Sequence, residues 1–295
     1  MTGPAAGGGL GGTGGRALLA CDLDQTLIFS RHTFRLPPGV DEPETVLVER
    51  IDGAPAAYAT ARSAALLAEL DRAAVFVPVT TRTLAQYARV DLGVRPRYAI
   101  AANGGHLLVD GEPDPQWAAR VAARVADGCA PLAEVVELAR RLAADGWARL
   151  LRVADDLFVY LVAHTREDVP DLTAVAGELS AAGWSLSVQG RKVYLTPSVL
   201  TKQDAVAEVA RRAGTDRLLA AGDSVLDLPM LAAADRAVRP AHGELHELGW
   251  EAPNVAVTAA AGLLAGEEVL ATLAAWVGGD AAARSGTGRT DVVDR

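Results

Sequence analysis

The sequence predicts an α/β protein with a doubly wound, Rossmann-like parallel sheet and a second, inserted α+β domain. Apolar runs typical of buried strands alternate with segments of helical period, and several of these runs end in polar residues. In the middle of the chain the strand-like runs are instead separated by short turns, which indicates antiparallel hairpins. The predicted divisions are a Gly-rich tail at 1–15, a core formed by 16–109 and 197–279, an inserted α+β domain, or cap, at 110–196, and a second tail at 280–295.

The predicted core elements follow from these patterns. Leu66, Leu67 and Leu70 share one side of a helix predicted over Ala61–Arg72, and a second helix is predicted over Thr83–Leu92. The core strands are predicted, in order, at Ala17–Leu23, Ala74–Val79, Tyr98–Ala102, Leu218–Ala221 and Asn254–Thr258.

The cap and a flap are predicted from hairpin patterns. The cap elements are strands at Trp147–Val153 and Leu157–His164, a helix at Asp171–Ala182, and a hairpin of Trp184–Val188 and Lys192–Thr196 around Gln189-Gly190-Arg191. Residues 45–60 predict another hairpin, which turns at Asp52-Gly53. Because this hairpin follows soon after the first strand, we expect it to form a flap over the functional site.

Composition excludes several classes of function. The chain has 295 residues, of which 50% are hydrophobic and 22% charged, as in a soluble globular protein. Its formal charge is −9 and no basic stripe stands out, so binding of nucleic acid or of an anionic membrane is not expected. No uninterrupted apolar run is long enough for a membrane span. Two cysteines give no disulfide framework, so we expect a cytoplasmic protein.

The most informative segment is the end of the first predicted strand. An apolar run ends in Asp22 and Asp24, which are followed by the hydroxyl of Thr26. At strand spacing both carboxylates point the same way, with Cα atoms about 7 Å apart. The carboxyl edge of a parallel sheet is where ligands bind. Two converging carboxylates repel each other, so they indicate a cation or a shared proton at this edge.

Three further groups are predicted to share that edge, and together the four resemble a known family. The segments are Asp22-Leu23-Asp24-Gln25-Thr26, Val79-Thr80-Thr81-Arg82-Thr83, Leu200-Thr201-Lys202-Gln203-Asp204 and Gly222-Asp223-Ser224-Val225-Leu226-Asp227. Their order resembles the haloacid dehalogenase superfamily of phosphatases over roughly residues 16–275. The inserted domain is similar to the large α/β cap of its sugar-phosphatase branches, which include sucrose-phosphate and mannosyl-phosphoglycerate phosphatases.

The resemblance implies catalytic and metal-binding roles. Asp22 would be the nucleophile that forms an aspartyl-phosphate, and Asp24 the general acid and base. Thr80 would hydrogen-bond a phosphoryl oxygen, and Lys202 would neutralise charge beside Asp22. The implied cofactor is Mg²⁺, held by Asp22, the backbone carbonyl of Asp24, Asp223 and, through a water, Asp227.

Other residues are candidates for substrate binding, each with a structural alternative. The candidates are Thr81, Arg82, Asn103, Gly104 and Arg191. Thr80 or Thr81 could instead cap the following helix, and Arg82 could pair with a carboxylate. Asn103-Gly104 could simply form a turn with positive φ. Arg191 and its neighbour Lys192 could reach the end of the substrate that does not react, or could be solvent-exposed.

The sequence also departs from the family pattern at two positions. Gln25 stands where many relatives have glycine, and Leu226 stands where an asparagine often supports the metal. The predicted function is Mg²⁺-dependent hydrolysis of a phosphomonoester on a small, sugar-phosphate-like metabolite. The alternatives are a phosphotransferase or phosphomutase that uses the same intermediate, and a catalytically weak protein that binds a ligand as a regulator.

Overall fold

The computed structural model describes residues 16–286, with side chains described up to residue 279. The tail predicted at 1–15 and residues 287–295 lie outside the described residues. The first part of the chain contains β1 (Leu18–Cys21), β2 (Thr45–Ile51), β3 (Ala54–Thr60), α1 (Ala61–Ala73), β4 (Val75–Pro78), α2 (Leu84–Tyr87), β5 (Tyr98–Ala101), β6 (His106–Val109) and β7 (Glu112–Pro113).

The middle and C-terminal parts complete the element order. The middle contains α3 (Pro115–Gly128), α4 (Leu132–Ala143), β8 (Ala148–Ala154), β9 (Phe158–Ala163), α5 (Thr173–Ala181), β10 (Trp184–Gln189) and β11 (Lys192–Pro197). The C-terminal part contains α6 (Lys202–Ala213), β12 (Leu218–Ala221), α7 (Leu228–Ala233), β13 (Arg236–Arg239), α8 (Glu244–Glu247), β14 (Val255–Val257) and α9 (Leu263–Gly286).

The core is a five-stranded parallel sheet in the order β14-β13-β12-β1-β4, which confirms the predicted fold class. Successive side chains of β1 alternate between its two faces, as strand geometry requires. Leu18 and Ala20 pack in the cluster that contains α6 and α7, while Leu19 and Cys21 pack with α1 and α9. Because helices cover both faces, β1 is fully buried, and a charged residue is tolerated only where the strand ends.

The cap is built on a four-stranded antiparallel sheet in the order β10-β11-β9-β8. The turn between β8 and β9 lies at Asp155 and Asp156, both in the left-handed region, and Gly190 lies in the turn between β10 and β11. Val159 and Leu161 of β9 are buried in the core cluster. The alternate residues of the sheet therefore face the other way, toward the functional site described below.

Several elements differ from the sequence prediction. The core strand β13 is not among the predicted strands, and β5, predicted as a core strand, pairs instead with β6 in a separate three-stranded sheet. The helix α2 spans only Leu84–Tyr87, because the chain then leaves the helix to form a bridge between Val90 and Glu49 of β2. The helices α3 and α4 are not among the predicted elements, although Asp114 followed by Pro115 is a helix-start signal. Finally, α9 continues to Gly286, past the start of the predicted tail.

The flap hairpin of β2 and β3 turns at Asp52-Gly53, as predicted. Within residues 16–286, no helix is both long and apolar enough to cross a bilayer.

Candidate active site

The carboxyl ends of β1 and β12 bring the first acidic groups together. Cys21 and Ala221 are register partners in these parallel strands, so Asp22, directly after Cys21, and Asp223, two residues after Ala221, leave the sheet at the same edge. Gly222, which directly precedes Asp223, packs against the side chain of Asp227. A Cβ on Gly222 would lie 2.5 Å from the Asp227 side chain, so only glycine permits this approach.

Lys202 lies at the centre of this acidic group. It is the first residue of α6, and the Thr201 side chain caps that helix. The Lys202 Nζ is 2.6 Å from Asp22 Oδ1 and 2.5 Å from Asp227 Oδ1, and its side chain is only 1% exposed. Thr26 Oγ1 donates to the other carboxylate oxygen of Asp22 at 3.2 Å. The structure therefore joins three of the four predicted segments at one point.

Asp227 is oriented by a second set of hydrogen bonds. Its Oδ2 accepts from the Ser224 hydroxyl at 2.8 Å and from the Ser224 backbone N–H at 3.0 Å. It also accepts from the Asp223 N–H at 3.2 Å. These contacts leave Oδ1 for Lys202, so the turn fixes both the position and the rotation of the carboxylate.

The charges in this cluster are unbalanced. Burial raises the pKa of Asp22 to about 7, an effect that Lys202 opposes and Asp227 reinforces. Burial and the charges of Asp22 and Asp227 likewise raise the pKa of Asp223 well above its usual value. Burial alone would lower the pKa of Lys202, but the same two carboxylates, Asp22 and Asp227, raise it. One ammonium group thus faces three carboxyl groups, which leaves an excess of negative charge.

A divalent cation fits this arrangement. One carboxylate oxygen from each of Asp22, Asp223 and Asp227 lies within 4.8 Å of the others, and all three residues are buried. Hard cations such as Mg²⁺ prefer oxygen ligands of this kind. The carboxylate of Asp24 does not belong to the set, which is consistent with the prediction that only its backbone carbonyl would bind metal.

The Asp24 carboxylate forms a bidentate ion pair instead. Arg82 Nε donates to its Oδ2 and Nη2 to its Oδ1, both at 2.8 Å. Desolvation in the site would raise the pKa of Asp24, but the hydrogen bonds and charge of Arg82 outweigh it and lower the pKa. Arg82 Nη1 also forms an ion pair with Glu49 at 2.8 Å, and Glu49 accepts from Arg89 at 3.0 Å. Arg82 is therefore paired with carboxylates, one of the two alternatives for this residue.

A bulge in β2 aims Glu49 inward. The register with β3 shifts on either side of Glu49, and the consecutive residues Val48 and Glu49 are both buried. A regular strand would bury only one of them. The flap is thereby linked through Glu49 and Arg82 to Asp24.

The threonines that follow β4 occupy different positions. Thr80 is completely buried, and its Oγ1 accepts from the Arg82 N–H at 3.2 Å. Thr81 lines the cleft beside Arg82. Neither caps α2, because Thr83 does so through a capping box with Gln86. The alternative of Thr80 or Thr81 as helix cap is therefore wrong.

Asn103 and Gly104 lie beneath the site and contact the backbone around Lys202. Asn103 Nδ2 donates to the Leu200 carbonyl at 3.0 Å, and its N–H donates to the Thr80 carbonyl at 3.0 Å. Gly104 has φ +96°, and a Cβ there would lie 2.2 Å from the Thr201 carbonyl oxygen. These contacts favour the structural alternative over substrate binding, because they position the start of α6.

A cleft of about 150 Å³ opens beside Asp24. The core and flap line it through Asp24, Arg82 and Glu49, and the cap lines it through Tyr160, Lys192 and Tyr194. Arg191, the predicted substrate-binding residue of the cap, does not line it. That side chain is exposed, and its Nη1 donates to the His164 carbonyl at 3.3 Å. The two residues differ because Arg191 lies in the hairpin turn, whereas Lys192 is the first residue of β11 and shares a sheet face with Tyr194.

His242 supports the turn after β1. Gln25 has φ +63°, a left-handed conformation that glycine adopts more easily than other residues. Many members of the family that the sequence resembles have glycine at this position. His242 Nε2 lies 2.7 Å from the Gln25 carbonyl, and the Gly262 N–H donates to His242 Nδ1 at 2.9 Å. Burial lowers the pKa of His242 to about 4, so the ring is neutral, with its proton on Nε2. Leu226, the second departure, lies in the short turn Val225–Asp227.

Two residues of the site, Glu49 and His242, are absent from the sequence prediction, and a third, Lys192, was predicted only as a possible substrate contact beside Arg191. Glu49 depends on a strand bulge that no local pattern signals. His242 lies beyond the recognised segments. Lys192 had a signal, because it and Lys202 are the only lysines in the sequence.

Comparison with solved structures identifies the fold. No protein-family model matches the sequence, and no curated protein matches it either. Three solved structures align over nearly their whole length, and each is at most 17% identical to this chain. One is a phosphatase of the haloalkanoate (HAD) enzyme superfamily from Bacteroides thetaiotaomicron, with TM-score 0.53 and 15% identity, covering 93% of this chain and 99% of the other. The chain has the fold of the haloacid dehalogenase superfamily, with an inserted cap.

The other two similar structures have names that include a sugar. The sucrose-phosphatase from Synechocystis, in complex with sucrose and phosphate, aligns with TM-score 0.60 and 17% identity, covering 90% of this chain and 98% of that one. A trehalose-6-phosphate phosphatase related protein aligns with TM-score 0.53 and 16% identity, covering 90% of this chain and 100% of the other.

Proposed function

We propose that this protein is a Mg²⁺-dependent phosphomonoesterase that acts through a phosphorylated Asp22. The cluster of Asp22, Lys202, Asp223 and Asp227 carries the proposal. It combines one carboxylate beside a buried ammonium group with two further carboxylates that could share a cation. The fold shared with known phosphatases supports the same conclusion.

In the first half-reaction, a carboxylate oxygen of Asp22 would attack the phosphorus of the substrate. The bond between phosphorus and the ester oxygen would break, and Asp24 would give that oxygen a proton. In the second, water would attack the phosphorus, Asp24 would accept a proton from the water, and the bond to Asp22 would break to release phosphate. Lys202 and the Thr80 hydroxyl would stabilise charge on the phosphoryl oxygens.

Asp22, Asp223 and Asp227, with the backbone carbonyl of Asp24, would hold Mg²⁺, whose charge reduces the repulsion between the phosphate dianion and Asp22. Asp24 must also become free to carry a proton. In the structure it is held as a carboxylate by Arg82. Binding of the substrate phosphate by Arg82 would release Asp24, since the same guanidinium group can pair with a phosphate.

We propose a small, sugar-phosphate-like metabolite as substrate and a cytoplasmic location. The cleft beside Asp24 has tyrosine side chains from the cap, which suit the C–H faces and hydroxyl groups of such compounds. The names of two similar structures, a sucrose-phosphatase and a trehalose-6-phosphate phosphatase related protein, agree with this class.

A nucleophile substitution tests the proposed function. We expect the purified protein to release phosphate from p-nitrophenyl phosphate with Mg²⁺, and EDTA to stop the reaction reversibly. Asp22→Asn should reduce the rate by at least about 10³-fold, because the amide cannot attack phosphorus. The matched control is Asp145→Asn, at an exposed position of the cap. Equal rates for Asp22→Asn and the wild-type protein would refute the assignment. Transfer of the phosphoryl group to an added sugar instead of water would indicate a phosphotransferase.

A further inference from the structure

We propose that Lys192 of the cap binds a second anionic group on the substrate, a carboxylate or a second phosphate close to the ester that is cleaved. This inference rests on the proposed function and names the substrate class more narrowly. It assigns the cleft beside Asp24 to a leaving group that carries its own negative charge.

The first observation is the position of Lys192. It lies on β11 two residues before Tyr194, so both side chains lie on the same face of the cap sheet. Tyr194 is the register partner of Tyr160 on β9, and the two ring centroids are 5.7 Å apart. All three residues line the cleft that Asp24 and Arg82 line from the core. A group bonded to the ester oxygen near Asp24 would therefore lie next to Lys192.

The second observation concerns charge. Arg82 is shared between Asp24 and Glu49, and Arg89 is paired with Glu49. Lys192 has no ion pair within the part of the chain that the structure describes. Three cationic side chains thus face two carboxylates around the cleft, which leaves one positive charge in excess. The Lys192 side chain is hydrogen-bonded to Tyr194 and lies in the field of Asp24, but it has no carboxylate within ion-pair distance. Lys192 is exposed at the cleft. An ammonium group there that has no carboxylate within ion-pair distance favours binding of an anion.

The third observation comes from composition. The chain has 28 basic residues besides histidine, and all but Lys192 and Lys202 are arginine. Lys202 is buried against Asp22 and Asp227, where a compact ammonium group fits and a guanidinium would not. Lys192 is the second lysine, and it lines the cleft beside Asp24. An ammonium group at this place can donate to a carboxylate or phosphate oxygen from several directions, whatever the exact shape of the leaving group.

The experiment compares ligands that differ only in the second anionic group. Asp22→Asn protein with Mg²⁺ is titrated calorimetrically with 3-phosphoglycerate and with glycerol 3-phosphate, which have a carboxylate and a hydroxymethyl group at the same position. A second arm compares fructose 1,6-bisphosphate with fructose 6-phosphate. We expect the anionic member of at least one pair to bind about tenfold more tightly. The pair that shows the preference identifies the anion as carboxylate or phosphate.

The same titrations with Lys192→Met in the Asp22→Asn background test the residue. We expect the preference to disappear while the affinity for the neutral members changes less than about twofold. Lys192→Arg should restore part of the preference. Arg191→Met is the matched control, because it removes the adjacent charge outside the cleft, and it should keep the full preference. A preference that survives Lys192→Met, or no preference in either pair, or no binding of any of the four ligands, would overturn the proposal.

A chemical readout checks the same contact without substitution of Lys192. Reductive methylation should modify Lys192 rapidly and leave the buried Lys202 unmodified, as measured by peptide mass spectrometry. The favoured anionic ligand should protect Lys192, and its neutral partner should not. Equal protection by both would contradict the proposal. These experiments separate the Lys192 proposal from the proposed function. The charge preference can be absent while wild-type protein still hydrolyses p-nitrophenyl phosphate. Conversely, the preference can be present in a protein that does not hydrolyse it.

Discussion

The Lys202 Nζ lies 2.6 Å from Asp22 Oδ1, although the two residues are 180 positions apart in the chain. The whole cap is inserted between them. Their contact depends on the pairing of β1 with β12 and on the position of α6, whose first residue is Lys202. Asn103 and Gly104 hold that helix start against the core. The acidic cluster is therefore assembled by packing and not by local sequence.

Lys202→Met should separate the catalytic and electrostatic roles of this lysine. The variant leaves three buried carboxyl groups without a counter-charge, so we expect the metal-free protein to lose about 3 kcal/mol of stability. Activity should fall by at least about 100-fold, while Mg²⁺ should bind more tightly because a nearby positive charge is gone. Urea unfolding and Mg²⁺ titration measure these effects. Arg211→Met, on the exposed side of α6, is the control. Weaker Mg²⁺ binding in Lys202→Met would contradict the prediction.

Asp223→Asn should stabilise the metal-free protein at high pH. Burial raises the pKa of Asp223 above its usual value near 3.8, so ionisation of the folded protein costs stability as the pH rises above that value. In EDTA, the variant should gain about 1–3 kcal/mol relative to wild type between pH 5 and pH 8. With Mg²⁺ at pH 8 the order should reverse, because the metal binds and stabilises the folded wild type. A variant that is less stable than wild type at pH 8 in EDTA would show that the carboxyl cluster is not strained.

His242→Gln should remove part of the acid sensitivity of the fold. The pKa of His242 is lowered from 6.5 to about 4, so its contribution is present above pH 6.5 and is lost as the pH falls toward 4. Wild type should therefore lose about 3 kcal/mol more than the variant over this range. Unfolding by urea at several pH values measures the difference. His164→Gln, at an exposed position, is the control, and identical pH profiles for wild type and His242→Gln would refute the assignment.

Gly104→Ala and Gly111→Ala form a matched pair. Both glycines have positive φ, +96° and +88°, but only at Gly104 would a Cβ meet another atom, the Thr201 carbonyl oxygen at 2.2 Å. Gly111→Ala should cost about 1 kcal/mol from backbone strain alone. Gly104→Ala should cost about 3 kcal/mol or more and also lower kcat, because the start of α6 must shift. Equal losses of stability and unchanged kcat would show that Gly104 does not position Lys202.

Local sequence was sufficient for several features of the site. Asp22, Asp24 and Asp223 could be placed because charge at the end of a buried strand is allowed only where the strand leaves the core. Four of the five core strands, all but β13, and the flap hairpin were predictable for the same kind of reason, since apolar patterns and turn residues act over a few positions. Lys202 and Asp227 required the resemblance of the ordered segments as well.

Tertiary structure decided the pairings. From the sequence, Arg82 could face either a phosphate or a carboxylate. In the structure it pairs with two carboxylates, Asp24 and Glu49, and the bulge in β2 is what buries Glu49 beside it. Packing of the flap against Val90 ended α2 early, and the register of the cap sheet brought Lys192 rather than Arg191 to the cleft. Side-chain period and strand ends depend on neighbours a few residues away, whereas ion pairs depend on which distant surfaces meet and in what register. A shift of one residue would have exchanged the inward and outward side chains of either strand.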